Sequence, residues 1–136
     1  MKVDGRCFCG FVTFAAEIDP EQVIVCHCTD CQTLSSSAFR MTVPAQPDTF
    51  KLLSGELKTY VKVADSGNRR ALAFCPNCGT SIYSAPTGET LRDTYFGLRV
   101  GTLAQRNQLP PKAQYWVRSK QHWVDPMQAL TSFEKE

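Results

Sequence analysis

Three cysteines fall within six residues at Cys26-His27-Cys28-Thr29-Asp30-Cys31, and four more stand in two close pairs, Cys7 with Cys9 and Cys75 with Cys78. Seven cysteines cannot all pair within one chain, so parity works against a disulfide framework. Thiolates this close in sequence repel one another unless a cation lies between them, and short gaps between ligands are how zinc sites of Cys and His are built. Structural zinc sites close with four protein ligands, whereas catalytic sites keep three and one open position. Seven therefore divides as four plus three. Cys26, Cys28 and Cys31 share one ion in this division, and Cys7, Cys9, Cys75 and Cys78 form a complete all-cysteine set. A partition that joins Cys26 and Cys28 to Cys75 and Cys78 is also open, but it splits a cluster that the sequence already holds together.

The redox environment bears on this reading. Met1 to Arg6 contains no apolar run of signal-peptide length, and nowhere do about eighteen apolar residues follow one another. The expectation is a soluble cytoplasmic protein without membrane contact, in a reducing compartment where such cysteines serve as ligands rather than disulfides. At 136 residues the chain is expected to form one domain, 1–136, with a modest core. Its net charge of +2, with no basic run longer than Arg69-Arg70, gives no support to nucleic-acid binding.

The segments between the cysteines read as short strands. Phe11 to Ile18 is rich in β-branched and aromatic residues and is stopped by Asp19-Pro20. Val23-Ile24-Val25-Cys26 leads straight into the cluster, after which Thr29 or Asp30 is placed to cap a short helix through Leu34. Further strands are expected over 38–43, 49–53, 57–63, 70–74, 79–84 and 94–100, with Leu57 to Val63 alternating as a half-buried strand does and Asp65 to Asn68 turning a hairpin. Leu109 to Lys112 reads as a linker. Many short strands and hardly a helical period predict a mainly β fold, an antiparallel sandwich or open barrel with helices as accessories.

Residues two apart in an extended segment face the same way, so Cys7 with Cys9, and Cys26 with Cys28, can each reach one ion. His27 then points away, to a hydrogen-bonding role or a substrate. Cys75-Pro76-Asn77-Cys78-Gly79 resembles a zinc knuckle. The four-cysteine site ties the N-terminal segment to a turn far along the chain and acts as a staple. An ion held by three thiolates is a weak Lewis acid, better suited to another soft ligand such as a substrate sulfur than to making hydroxide. Arg69, Arg70, Arg99, Arg118 and Lys120 read as solvated surface, and Phe39, Tyr95, Trp116 and Trp123 as core.

Five stretches together resemble the glutathione-dependent formaldehyde-activating enzyme (GFA) family in order and spacing. They are Gly5-Arg6-Cys7-Phe8-Cys9-Gly10, Cys26 to Gln32, Ser37-Ala38-Phe39, Phe74 to Thr80, and Val117 to Lys120 before Trp123. The resemblance implies a zinc-dependent carbon–sulfur lyase fold, mostly β, with a structural zinc on Cys7, Cys9, Cys75 and Cys78 and a catalytic zinc on Cys26, Cys28 and Cys31. It also implies a small-molecule thiol partner, glutathione, joined to formaldehyde as S-hydroxymethylglutathione. Ser36 departs from the pattern, since relatives commonly carry glycine there. The other reading is a non-catalytic zinc-stabilised binding module in which a protein ligand such as His122 closes the second site. Oligomeric state is not legible, which leaves a homodimer open.

Overall fold

A computed structural model describes residues 1–87 and 96–135. Among these, the chain forms two sheets and a single short α-helix, with no closed barrel. The first sheet has three antiparallel strands, β1 (Lys2–Arg6), β2 (Thr13–Glu17) and β5 (Lys51–Ser54), in the order β1-β2-β5. The second contains β3 (Ile24–Cys26), β4 (Arg40–Pro44), β6 (Lys58–Val63), β7 (Arg69–Phe74), β8 (Ser81–Pro86), β9 (Gly97–Arg99) and β10 (Ala113–Tyr115), in the order β10-β3-β4-β9-β8-β7-β6. Helix α1 (Thr29–Ser35) follows β3. Nearly every pairing is antiparallel, but β10 lies parallel to β3.

Apolar side chains fill the space between the sheets. Phe14, Ile18, Ile82, Leu98, Leu103 and Leu109 are fully buried, each worth about 1.5–3 kcal/mol in apolar transfer. Phe50, in the loop before β5, sits between the layers with its ring centroid 5.4 Å from Phe14, 5.1 Å from Tyr83 and 5.0 Å from Phe96. Such tilted and edge-on contacts add to simple burial. β1 escapes a sequence reading because only Val3 and Gly5 face inward while Lys2, Asp4 and Arg6 are exposed.

Several local expectations are corrected. β6 alternates in sequence yet is almost wholly exposed, as the edge strand of the larger sheet. Cys28, not Thr29 or Asp30, caps α1, its sulfur accepting the Cys31 N–H at 3.3 Å. Cys7 and Cys9 lie on a turn rather than a strand, closed by Gly10 N–H donating to Cys7 O at 3.1 Å. Trp116 and Trp123 are exposed at 58% and 45% instead of lying in the core, whereas Arg99 is buried and Arg70 half-buried. Tyr95 and the start of the 94–100 strand lie outside the described residues.

Candidate metal centres

The seven cysteines gather into two groups, Cys7, Cys9, Cys75 and Cys78 in one and Cys26, Cys28 and Cys31 in the other. Within each group the sulfurs lie within 4.8 Å of one another. All seven are free thiols. The alternative partition, which mixed the 26–31 cluster with the 75–78 pair, is not the one the fold assembles.

The four-cysteine group joins two turns at the margin of the core. Cys7 directly follows β1, and its sulfur accepts the Val12 N–H at 3.2 Å. Cys75 directly follows β7, and there the knuckle closes through Gly79 N–H to Cys75 O and Cys75 N–H to Thr80 O, both 2.9 Å. Gly79 has φ of +74°, a conformation that glycine adopts without the penalty a Cβ brings. Cys7 and Cys75 are fully buried. Thr80 binds both turns at once: its Oγ1 accepts the Phe8 N–H at 3.1 Å and donates to Cys78 Sγ at 3.1 Å. That hydroxyl bond is the main reason the Cys78 thiol is lowered to about 5. The Asn77 amide, 3.3 Å from Cys9 Sγ, lowers Cys9 in the same way, while burial pushes Cys75 up to about 11.

These distances fit a metal ion and exclude a disulfide. A tetrahedron of sulfurs at the usual zinc–sulfur bond length has edges of about 3.8 Å. Cys7 Sγ and Cys9 Sγ are 3.5 Å apart, and Cys9 Sγ and Cys75 Sγ 3.9 Å, far longer than a sulfur–sulfur bond.

The three-cysteine group lies on the outward face of the larger sheet. Residues opposite one another in antiparallel register share a face, and Cys26 stands opposite Arg40. Along β4 the same face carries Thr42, which receives a hydrogen bond from Arg99 Nη1 at 3.1 Å. Farther along, Arg70 donates to Ser84 Oγ, and Lys62 reaches Asp30 on α1. Helix α1 therefore sits over a sheet face with four cations, while the opposite face of β4 and β9 gives Val43 and Leu98 to the core. Burial raises Cys26, and it pushes Cys31 up to about 12 with help from Cys28. Burial acts on Cys28 too, but the Cys31 N–H and the neighbouring thiols outweigh it and the net shift is downward. Two of the three thiols thus hold their protons at neutral pH until a cation displaces them.

The segments around the group are fastened by amides. His27 is buried, with Nε2 2.9 Å from Gln114 Oε1 on β10, and its ring packs edge-on to Phe39. Gln32 on α1 donates from Nε2 to His27 O at 2.7 Å and Ser119 O at 2.9 Å, while Gln121 donates back to Gln32 Oε1. His27 takes the hydrogen-bonding role, and His122 is not among the donors gathered with the three cysteines. Sequence reasoning missed Arg40, whose signal was available only as a cation at the start of a short strand. A recess of about 390 Å³ bordered by His27, Phe39, Lys112, Gln114 and Lys120 lies beyond the other face of β3. A larger hollow of about 760 Å³ borders Cys7, Phe8 and Arg106 beside the four-cysteine group. Neither contains the three cysteines in its lining, so the chemistry is placed by the donor atoms rather than by hollow size.

The family model for glutathione-dependent formaldehyde-activating enzyme matches residues 2–119. The chain belongs to this family. An uncharacterized lyase of Schizosaccharomyces pombe is 33% identical to this GFA-family chain over 86 residues, covering 63% of the chain and 59% of the relative's own length. A crystal structure of a Rhodobacter sphaeroides protein superposes with a TM-score of 0.60 at 18% identity, covering 82% of this chain and 98% of the other, which establishes a shared fold. All seven cysteines of the GFA-family chain fall inside the matched residues. No helix among the described residues is long and apolar enough to cross a membrane.

Proposed function

We propose that this chain is a carbon–sulfur lyase acting on a small-molecule thiol adduct of the S-hydroxymethylglutathione type, built from glutathione and formaldehyde. Cys26, Cys28 and Cys31 hold a catalytic zinc ion in this reading, and Cys7, Cys9, Cys75 and Cys78 hold a structural one. The observation that carries it is the size of the smaller set: no fourth His, Cys, Asp or Glu joins the three sulfurs among the described residues. Those three sulfurs would hold a zinc ion, which would supply a positive centre able to stabilise a thiol as its thiolate.

The chain's own residues do the rest. Cys28 anchors the start of α1 while offering its sulfur, so the helix and the donor set move as one. Gln32 and His27 hold the intervening loop against β10 and the C-terminal segment, which keeps the three sulfurs in place as substrate comes and goes. The cations on the same face favour an anionic substrate. The four-cysteine group serves as the staple of a single domain spanning 1–136, and a reducing cytoplasm keeps all seven thiols available.

Metal analysis of the wild type beside Cys28→Ser, followed by a titration with glutathione and then formaldehyde, tests this. Two zinc ions per wild-type chain and one in the variant are expected, with cobalt in the smaller site changing its absorption when glutathione is added. One ion per wild-type chain, or two with no response to thiols, overturns it.

A further inference from the structure

Arg40 is buried, with 7% of its surface exposed, on the strand next to the three cysteines. Its register partner is Cys26, which places the two side chains on one face with Cβ atoms about 5 Å apart. Burial works against its charge, and the sulfurs of Cys31, Cys28 and Cys26, once ionised, act to favour it. No hydrogen bond or ion pair joins it to a described residue. An arginine has five N–H donors, and a buried one is ordinarily held by a carboxylate or by carbonyls. Here no carboxylate or carbonyl of a described residue holds it, and its nitrogens are not among the buried side-chain atoms that lack a partner, so they stay within reach of solvent or a ligand. Other cations of this face differ in this respect: Lys62 is paired with Asp30, and Arg70 donates to Ser84.

The geometry points to Arg40 as the group that binds an anionic oxygen carried close to the substrate's sulfur. This rests on the thiol-handling reading of the three-cysteine site. A guanidinium beside the sulfurs reaches an oxygen two or three bonds from the sulfur of an incoming ligand, but not a charge at the far end of a long molecule. In the proposed reaction that oxygen belongs to the aldehyde. When a thiolate adds to the carbonyl, the carbon–sulfur bond forms from the sulfur lone pair and the carbonyl π pair moves to oxygen, which takes up a proton from solvent. Cleavage runs the same steps in reverse. Arg40 donates to the oxygen while it is negative, the role of an oxyanion-binding group.

Two small thiols separate this role from mere packing. Mercaptoacetate carries an anionic oxygen next to its sulfur-bearing carbon, and 2-mercaptoethanol carries a neutral hydroxyl there. Calorimetric titration of zinc-loaded protein is expected to show the wild type binding mercaptoacetate about tenfold or more tightly than 2-mercaptoethanol, the usual weight of a charge-assisted hydrogen bond. Arg40→Met is expected to lose that preference with its zinc content unchanged, and Arg40→Lys to recover part of it. No preference in the wild type overturns the assignment whether or not the variants fold, and so does an unchanged preference in Arg40→Met. Equal binding of both thiols leaves the thiol-handling reading standing, whereas binding of neither removes that reading and this inference with it.

Discussion

The Sγ of Cys28 accepts the backbone N–H of Cys31 at 3.3 Å, so one atom both starts a helix and belongs to a set of three sulfurs that could hold a metal ion. Serine is a good helix cap but a poor soft-metal ligand. Cys28→Ser is therefore expected to lose one ion and stay folded, while Cys28→Ala loses the same ion and about 1 kcal/mol more stability. Zinc content and melting temperature, measured side by side, check this; equal melting temperatures for the two variants contradict the capping role.

Cys78→Ser is expected to behave differently. Its group joins the end of β1 to the end of β7 through two fully buried cysteines. Structural zinc sites contribute on the order of 10 kcal/mol, as much as the whole stability of many domains. The variant is expected mainly in the insoluble fraction. A soluble yield and melting temperature like those of Cys28→Ser argue against separate roles for the two groups.

Acid is expected to empty the sites in a definite order. Cys31, pushed up to about 12, and Cys26, also raised, each bind a proton at neutral pH in the metal-free protein. In the four-cysteine group Cys75 is also raised, to about 11, but Cys78, lowered to about 5, and Cys9, also lowered, are far readier to ionise, whereas in the smaller group only Cys28 is lowered. Protons compete with the metal for the sulfurs, so falling pH favours the protonated form first where the thiol pKa is raised. Zinc release to a coloured chelator is expected in two steps, with the three-cysteine ion leaving at the higher pH. In Cys28→Ser that earlier step is expected to be missing; its persistence reverses the assignment.

Ser36 ends α1 with φ of +52° and ψ of +39°, the left-handed region, and its N–H closes the helix end onto Gln32 O and Thr33 O. A side chain there costs about 1 kcal/mol relative to glycine. Ser36→Gly is expected to raise the denaturant midpoint accordingly without altering zinc content. An unchanged or lower midpoint contradicts a strained cap.

Gly5 shows the opposite case. A Cβ on it falls 2.2 Å from Phe14 Cζ, inside the packed core. Gly5→Ala is expected to destabilise by about 1–3 kcal/mol. Chemical denaturation checks it, and a shift below about 0.5 kcal/mol counts against close packing there.

Ligand spacing made both cysteine groups legible, because coordination number is a property of the ion and can be counted without knowing the fold. The strand runs near Val25, Val43 and Phe74 were also readable, since buried strands are rich in apolar residues. What escaped depends on neighbours that are remote in the chain. β1 shows one small and one apolar inward residue, too little for a pattern. Val61 and Val63 look buried in sequence but stand on an edge strand and are exposed. Arg40 becomes conspicuous only when β3 and β4 are placed in register, and the reach of Gln121 to Gln32 spans 89 residues.

The parallel pairing of β10 with β3 gives the tail of the chain a part in ordering its beginning. During synthesis, Cys26, Cys28 and Cys31 emerge well before Gln114, Ser119 and Gln121, the partners that fix His27 and Gln32. A nascent chain thus presents three loosely tethered thiols for as long as translation of roughly ninety further residues takes, some seconds at ordinary elongation rates. C-terminal truncations before residue 114 are accordingly expected to leave the sulfurs of the smaller cluster without the Gln114, Ser119 and Gln121 contacts that fasten the loop and helix around them.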